Sequence, residues 1–278
     1  MNYKNLKYFF FIFFLTTIFL EFFFYINCKN LNHKNSITKI YEFEKFNTNL
    51  FEYNSYNKVI SYIEKNFKQN NFSQLEKIIF IDNFIKERFM HGRSELNRCK
   101  YWVLNMFDYI IYNRKYDLLV SNNVDRILNN KFAFCNQQAI VFQQIAKHFL
   151  FEYSSVEFNT PPKGHFASSI KVNSIWYYFD QHEEAKYEYL PPLLSQIINN
   201  ENNQINKSYK DRWFADIFIE GSKNNNIVQT NINTFPAFRG YLAQETLIFL
   251  SINLKYIFII FIFYFFFKKK LLKIIKVK

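Results

Sequence analysis

A chain of 278 residues is long enough for one folded domain of about 150 to 200 residues with further segments at its ends. Its three cysteines, Cys28, Cys99 and Cys135, cannot form a closed set of disulfides and contain no pair at metal-clip spacing, which excludes a disulfide scaffold and a structural zinc domain. The formal charge of +12 suggests a nucleic-acid partner, but nine lysines and one glutamate outside residues 28–245 account for +8 of it. The middle keeps only +4, so we expect no nucleic-acid partner.

The first apolar segment lies near the start of the chain. Residues 8–26 include one charge, Glu21, and form a run of 19 residues. Because about 20 apolar residues span a bilayer, residues 1–27 are predicted to form an N-terminal transmembrane anchor. A cleaved signal peptide has a similar composition, although no small-residue cleavage site follows the run, and lipidation at Cys28 is a further alternative.

The second apolar segment is predicted to form a C-terminal transmembrane helix over residues 246–267, with Lys255 inside it, followed by a basic cytoplasmic tail at 268–278. The alternative is an interfacial helix, but apolar residues surround the whole helix and leave no polar face. Six lysines in the tail, with Lys4 and Lys7 before the first segment, place both ends in the cytoplasm by the positive-inside rule. The sequence therefore predicts a bacterial-type inner membrane protein whose domain faces the outer, periplasmic side.

Residues 28–120 are predicted to be mainly helical. Between residues 35 and 160 there is one glycine, Gly92, and no proline, so helix breakers are scarce. Ser73 and Glu76 have the spacing of a capping box at the start of an amphipathic run. The predicted helices cover residues 56–69, 73–92, 95–114 and 122–129.

Residues 121–220 change from helical to strand periodicity. A helix begins at Cys135, and its expected buried face carries Ala139, Phe142, Ala146, Phe149 and Leu150. Period-two runs follow, and the last two of them predict a β-hairpin whose turn is Asn173-Ser174, because asparagine tolerates a positive φ. A short helix is expected at residues 193–198. Residues 221–245 are predicted to be a linker to the last apolar segment.

A cysteine at a helix start is the strongest chemical signal in the chain. The positive end of the helix dipole favours the thiolate of Cys135, the nucleophilic form of the side chain. A thiolate also needs a base and a group that orients the base. The predicted hairpin register makes His165 and Asp180 diagonal neighbours on one face, with Cβ atoms about 7 Å apart. Cysteine, histidine and aspartate are thus expected to meet.

This order of residues resembles the transglutaminase-like superfamily, which shares its core with papain-like cysteine proteases. The resemblance covers roughly residues 125–185, in the strings FCNQQAIVFQQIAKHF, GHFASSIKV and IWYYFD. It implies an α+β fold, in which the nucleophile helix packs on an antiparallel sheet behind a helical N-terminal half, flanked by the two transmembrane helices. It further implies Cys135 as nucleophile, His165 as general acid and base, and Asp180 as orienting carboxylate.

Four further residues are candidates for the oxyanion or substrate site: Asn129, Asn130, Gln137 and Trp176. The backbone N–H of Cys135 is a fifth donor, and the sequence does not choose among them. No cofactor and no metal are expected. The expected chemistry is thiolate attack on an amide or ester carbonyl of a protein or peptide, through a thioacyl-enzyme released by water or by an amine. The alternative is a non-catalytic envelope interaction module on the same fold.

The remaining histidines are assigned no chemistry. His182 stands beside Glu183 and Glu184, and we interpret this run as a solvated charged segment rather than a metal site, because adjacent strand residues point to opposite faces. His91 and His148 have no partner at ligand spacing. Cys99 is expected to be buried beside Trp102.

Overall fold

The computed structural model describes residues 3–31, 46–110, 118–160, 163–182, 190–209 and 227–275. Within these ranges the protein is a mixture of helix and sheet. The helices are α1 (Tyr3–Leu31), α2 (Tyr56–Gln69), α3 (Gln74–Arg88), α4 (Trp102–Ile110), α5 (Val124–Leu128), α6 (Cys135–His148), α7 (Leu194–Ile198), α8 (Gln204–Tyr209) and α9 (Phe238–Ile275). The strands are β1 (Met90–His91), β2 (Phe132–Ala133), β3 (Glu152–Thr160), β4 (Lys163–Val172), β5 (Ile175–Phe179) and β6 (Ile227–Gln229).

The chain divides into two compact units whose boundaries differ from the predicted ones. One unit comprises Met1–Ile37, Glu95–Val120 and Arg239–Lys278, and the other comprises Thr38–Ser94 and Ser121–Phe238. The predicted boundary at residue 120 separated a helical region from the core. Instead, α2 and α3 fold with the sheet, because their buried faces complete its hydrophobic core.

The first unit contains two helices that are long and apolar enough to span a membrane. The qualifying segments are Tyr8–Ile26 in α1 and Phe238–Tyr264 in α9, so the second begins earlier than the predicted residue 246. Lys255 Nζ lies 2.9 Å from an oxygen of Glu21, and the rings of Phe10 and Phe261 stack at 4.9 Å. Glu21 and Lys255 therefore neutralise each other, which removes much of the cost of placing either charge in hydrocarbon.

Residues 95–101 of the first unit are not helical, although a helix was predicted from residue 95. The side chain of Asn97 accepts the backbone N–H groups of Cys99 and Lys100, both at 3.0 Å, and so forms a turn that competes with a helix. The helix begins at Trp102, and residues 111–114 of the prediction lie outside the described residues. Cys99 was expected to be buried, but it is half-buried, and it is disulfide-bonded.

The second unit is built around a four-stranded antiparallel sheet in the order β5-β4-β3-β6. Helices α2, α3, α5 and α6 bury apolar residues against one face, and α7 and α8 bury theirs against the other. The predicted capping box of α3 is confirmed, since Glu76 accepts the N–H of Ser73 at 2.7 Å and Ser73 accepts that of Glu76 at 3.3 Å. The central strands are thus covered on both sides.

The predicted hairpin is confirmed in its register. Val172 pairs with Ile175, and Ser168 pairs with Phe179. Asn173 and Ser174 have φ of 49° and 67°, the two positive values that a type I′ turn requires.

The segment predicted as a linker, residues 221–245, contributes both a strand and part of a helix. Strand β6 pairs antiparallel with β3, with Val156 opposite Gln229 and Phe158 opposite Ile227. Ile227 is buried in the core on that face of the sheet. This short strand was not predicted because three residues among asparagines carry too little periodicity.

Helix α6 is buried around most of its circumference, rather than along one stripe. Ala139, Ile140, Val141 and Phe142 are all buried, because the helix lies between α3, α5 and the sheet. Leu150, expected on the buried face, is 92% exposed with φ of 63°. It follows the helix as the left-handed residue of a Schellman motif, in which Phe151 N–H bonds Ala146 O at 3.0 Å.

We expect Leu150→Gly to stabilise the protein by up to about 1 kcal/mol. A left-handed conformation costs an L-residue about 1–2 kcal/mol, and the greater freedom of glycine in the unfolded chain offsets part of the gain. Because the Leu150 side chain is almost fully exposed, no core contact is lost. The measurement is the apparent melting temperature of the full chain in detergent, and Leu150→Ala serves as the control that keeps the strain. An equal melting temperature in the two variants would contradict this account.

Candidate active site

The lengths of α6 and β3 bring the predicted site residues to one end of the second unit. Helix α6 has 14 residues and is about 21 Å long at 1.5 Å per residue. After the turn at Leu150, β3 runs back along the helix, and the stretch from Glu152 to Phe158 covers about 20 Å. His165 pairs with Phe158. The histidine is therefore level with Cys135 at the helix start.

The start of α6 is held by Gln137. Its Oε1 accepts the N–H of Phe134 at 3.1 Å and that of Ser94 at 3.0 Å, while its Nε2 donates to Ser94 O at 3.0 Å and Ser121 O at 2.8 Å. The N–H groups of Cys135 and Asn136 lie in the first turn, where no intrahelical acceptor exists. Among the described residues no other backbone acceptor takes them. The nucleophile candidate thus stands beside two backbone donors.

His165 and Asp180 form a fully buried pair. The distance from His165 Nε2 to Asp180 Oδ2 is 2.7 Å, and both side chains have zero exposure. Strand β4 supplies the histidine, and the end of β5 supplies the aspartate, as the hairpin register requires. Water has no access to compete for this hydrogen bond.

Asp180 accepts further hydrogen bonds that the sequence did not reveal. Tyr209 in α8 donates its hydroxyl to Oδ2 at 2.6 Å, the Tyr178 hydroxyl lies 3.4 Å from the same oxygen, and the backbone N–H of His182 donates to Oδ1 at 3.1 Å. Several donors around one buried carboxylate compensate the loss of its hydration and hold it in the ionised form.

The charges of the site depend on the His165–Asp180 pair. Burial alone lowers the pKa of His165, but the charge and hydrogen bond of Asp180, with smaller contributions from a hydrogen bond and the charge of Cys135, raise the pKa to about 10. Burial raises the pKa of Asp180, whereas His165 and the Tyr209 hydroxyl lower it well below its usual range. At neutral pH the site therefore holds an imidazolium next to the Cys135 sulfur.

The Tyr209 hydroxyl is expected to help position Asp180. Tyr209→Phe keeps the buried ring but removes the 2.6 Å hydrogen bond, and hydrogen bonds to charged groups contribute about 1.5–3 kcal/mol. We expect the reaction rate of Cys135 with iodoacetamide to fall several-fold, because a less firmly held carboxylate stabilises the imidazolium less well.

The control for this prediction is Tyr153→Phe. Tyr153 is also almost fully buried, but it packs in the core on the opposite face of the sheet. A loss of stability without a change in Cys135 reactivity in the Tyr209 variant would show that its hydroxyl is only structural.

The four side chains that the sequence offered as oxyanion or substrate candidates are bound or placed elsewhere in the structure. The amide of Asn130 donates to Ser94 Oγ and Arg126 O, both at 2.8 Å, and the amide of Gln137 is occupied as described above. Asn129 is exposed at the end of α5. Trp176 pairs with Lys171, six positions along β4 from His165 and so about 20 Å away. None of the four side chains is brought to the Cys135–His165 pair.

Two histidines that were assigned no chemistry lie at the site instead. The rings of His91 and His182 are 4.1 Å apart between centroids, and the ring of His182 is 6.0 Å from that of His165. His182 is buried, so its interpretation as part of a solvated run was wrong, while Glu183 and Glu184 lie outside the described residues. The only feature of the sequence that could have drawn attention to this position is Gly92, which directly follows His91 and is the one glycine between residues 35 and 160. Among the described residues, no group of three or more His, Cys, Asp or Glu side chains could hold a metal ion.

Comparison with known proteins adds nothing to this geometry: no family model, no curated protein and no solved structure matches the chain.

Proposed function

We propose that the protein is a membrane-anchored thiol enzyme of the transglutaminase-like type, which forms a thioacyl-enzyme on Cys135. The observation that carries this proposal is the buried Asp180–His165 hydrogen bond of 2.7 Å, with Cys135 acting on the same imidazole from the start of α6. A structural cysteine needs neither a charged histidine nor a buried carboxylate beside it.

The first half of the reaction acylates the sulfur. The thiolate of Cys135 adds to the carbonyl carbon of an amide or ester, and the carbonyl oxygen becomes an oxyanion near the N–H groups of Cys135 and Asn136. Since Nε2 of His165 is hydrogen-bonded to Asp180, the proton passes from the other ring nitrogen of His165, Nδ1, to the leaving nitrogen or oxygen of the substrate. The C–N or C–O bond breaks, and a thioester and a free amine or alcohol result.

The second half releases the acyl group. His165, now neutral, takes a proton from water or from an amine as that group adds to the thioester, and the thiolate leaves with its electron pair. Water yields a carboxylic acid, as in a peptidase or amidase, and an amine yields a new amide, as in a transamidase. The substrate class we propose is a protein or peptide of the cell envelope.

The location we propose is the periplasmic side of an inner membrane, with both chain ends in the cytoplasm. Two apolar helices support membrane attachment, the terminal lysines support this orientation by the positive-inside rule, and the disulfide of Cys99 supports an oxidising compartment. Reporter fusions at the two ends and at Asn202 test the orientation. A C-terminal reporter active outside the cytoplasm would contradict it.

The function is tested by acylating the detergent-solubilised full chain with p-nitrophenyl acetate. We expect a burst of p-nitrophenol and an acetyl group on the peptide that contains Cys135, released by hydroxylamine as a thioester would be. An acetyl group confined to lysines, together with iodoacetamide reactivity no faster than that of free cysteine at the same pH, would favour the non-catalytic interaction module.

A further inference from the structure

His91 is fixed next to the reactive cysteine by backbone pairing. Strand β1 runs parallel to β2, with His91 opposite Ala133, and the N–H of Met90 bonds Lys131 O at 2.9 Å. Because α6 follows β2 after one residue, this pairing sets the His91 backbone beside the chain that enters Cys135. The position of His91 relative to the nucleophile therefore depends on main-chain contacts.

The ring of His91 is held by packing on two sides. Its centroid is 5.4 Å from that of Phe134 and 4.1 Å from that of His182. Phe134 immediately precedes Cys135, and the ring of His182 is 6.0 Å from that of His165. The imidazole of His91 thus lies among the residues that flank the Cys135–His165 pair, on the side where α6 begins.

His91 differs from His165 in its charge. Burial and, to a smaller extent, the positive charge of His165 together lower the pKa of His91 to about 4. Near neutral pH the ring is an uncharged imidazole, which donates one N–H and does not compete with His165 for the thiolate. A neutral imidazole is a suitable electrophile for a developing oxyanion.

We propose that His91 is the side-chain donor to the oxyanion that forms when Cys135 attacks a carbonyl. This inference rests on the proposed function and adds a catalytic residue to it. As the sulfur–carbon bond forms, the carbonyl π electrons move to oxygen, and the ring N–H of His91 donates a hydrogen bond to that oxygen together with the N–H of Cys135. When the tetrahedral intermediate collapses, the electrons return, the leaving group departs with the proton from His165, and His91 keeps its own proton throughout.

The test compares two reactions of the same cysteine. Alkylation by iodoacetamide creates no oxyanion, whereas acylation by p-nitrophenyl acetate does. For His91→Phe, which keeps an aromatic ring against Phe134 and His182, we expect acylation to slow by about 10²–10³-fold, the usual effect of losing one oxyanion donor, and alkylation to stay within about twofold. His91→Gln restores a side-chain N–H and is expected to recover part of the acylation rate.

The ratio of acylation to alkylation makes the test independent of how much protein folds, because both rates scale with the folded fraction. His148→Phe is the matched control, because His148 is an exposed histidine of the same unit that contacts Glu64 at 3.4 Å, and its ratio should equal that of the wild type. An unchanged ratio in both His91 variants would overturn the proposal, whether the two rates stay the same or fall by the same factor. Failure of the proposed function is distinguishable, because the wild type would then show no thioester on Cys135 at all.

Discussion

Cys135→Ala is expected to abolish formation of the acetyl-enzyme, and His165→Ala to slow it by about 10²–10⁴-fold, the usual contribution of a positioned acid and base. In the proposed mechanism the sulfur forms the bond to the acyl group, and the imidazolium stabilises the thiolate and later protonates the leaving group. The double variant should be no slower than Cys135→Ala, because residues that act as one unit are not additive. Stopped-flow release of p-nitrophenol and peptide mapping measure both effects.

The control for these substitutions is a buried position outside the site. Ala139 lies on α6 one turn after Cys135 and is fully buried, so Ala139→Gly should lower stability by about 1 kcal/mol and leave the acylation rate of the folded protein unchanged. Full acetylation of another residue in Cys135→Ala, at the wild-type rate, would remove Cys135 from the mechanism.

Asp180→Asn is expected to reduce acylation by up to about 10⁴-fold and to move the titration of His165 to lower pH. In the wild type the charge and the hydrogen bond of Asp180, with smaller contributions from Cys135, together outweigh the effect of burial and raise the pKa of His165 to about 10. Without the carboxylate, burial dominates and lowers that pKa, so the imidazole is neutral at pH 7. Carbon NMR of labelled histidine measures this, with the His165 signal assigned by its absence from His165→Ala.

The pKa shifts of His165 and Asp180 also predict how the free energy of unfolding depends on pH. The pKa of His165 is raised on folding, so its contribution is complete below its ordinary value of 6.5 and is lost as pH rises through about 10. The pKa of Asp180 is lowered on folding, so its contribution is complete above 3.8 and is lost only as pH falls through its depressed value. The pair should therefore stabilise the wild type most between about pH 4 and 6.5, and Asp180→Asn should flatten the loss on the alkaline side.

Asp108→Asn is the matched control for the pH experiment. Asp108 is a buried carboxylate of the first unit that accepts the N–H of Leu118 at 2.8 Å. Its replacement should lower stability without moving the His165 titration. A His165 signal that still titrates near pH 10 in Asp180→Asn would contradict the assigned role of the carboxylate.

The local parts of the site follow from the sequence because they depend on short-range geometry. A turn at Asn173-Ser174 and a side-chain period of two are enough to set His165 beside Asp180, and the structure has this register. A capping box and helical spacing likewise identify α3. In each case the interacting residues lie within one helix or one hairpin, so the alternatives that the backbone allows are few.

Only the tertiary structure decided which distant residues complete the site. Tyr209 reaches Asp180 because α8 packs on the face of the sheet opposite to α6. His91 lies next to the residues around Cys135 because β1 pairs in parallel with β2, which is 42 positions further along the chain. Gln137, a candidate donor by sequence, is instead bound to Ser94 and Ser121. Such contacts form between elements that each have weak local signals, and they are selected by the burial of apolar surface over the whole unit rather than by any spacing along the chain.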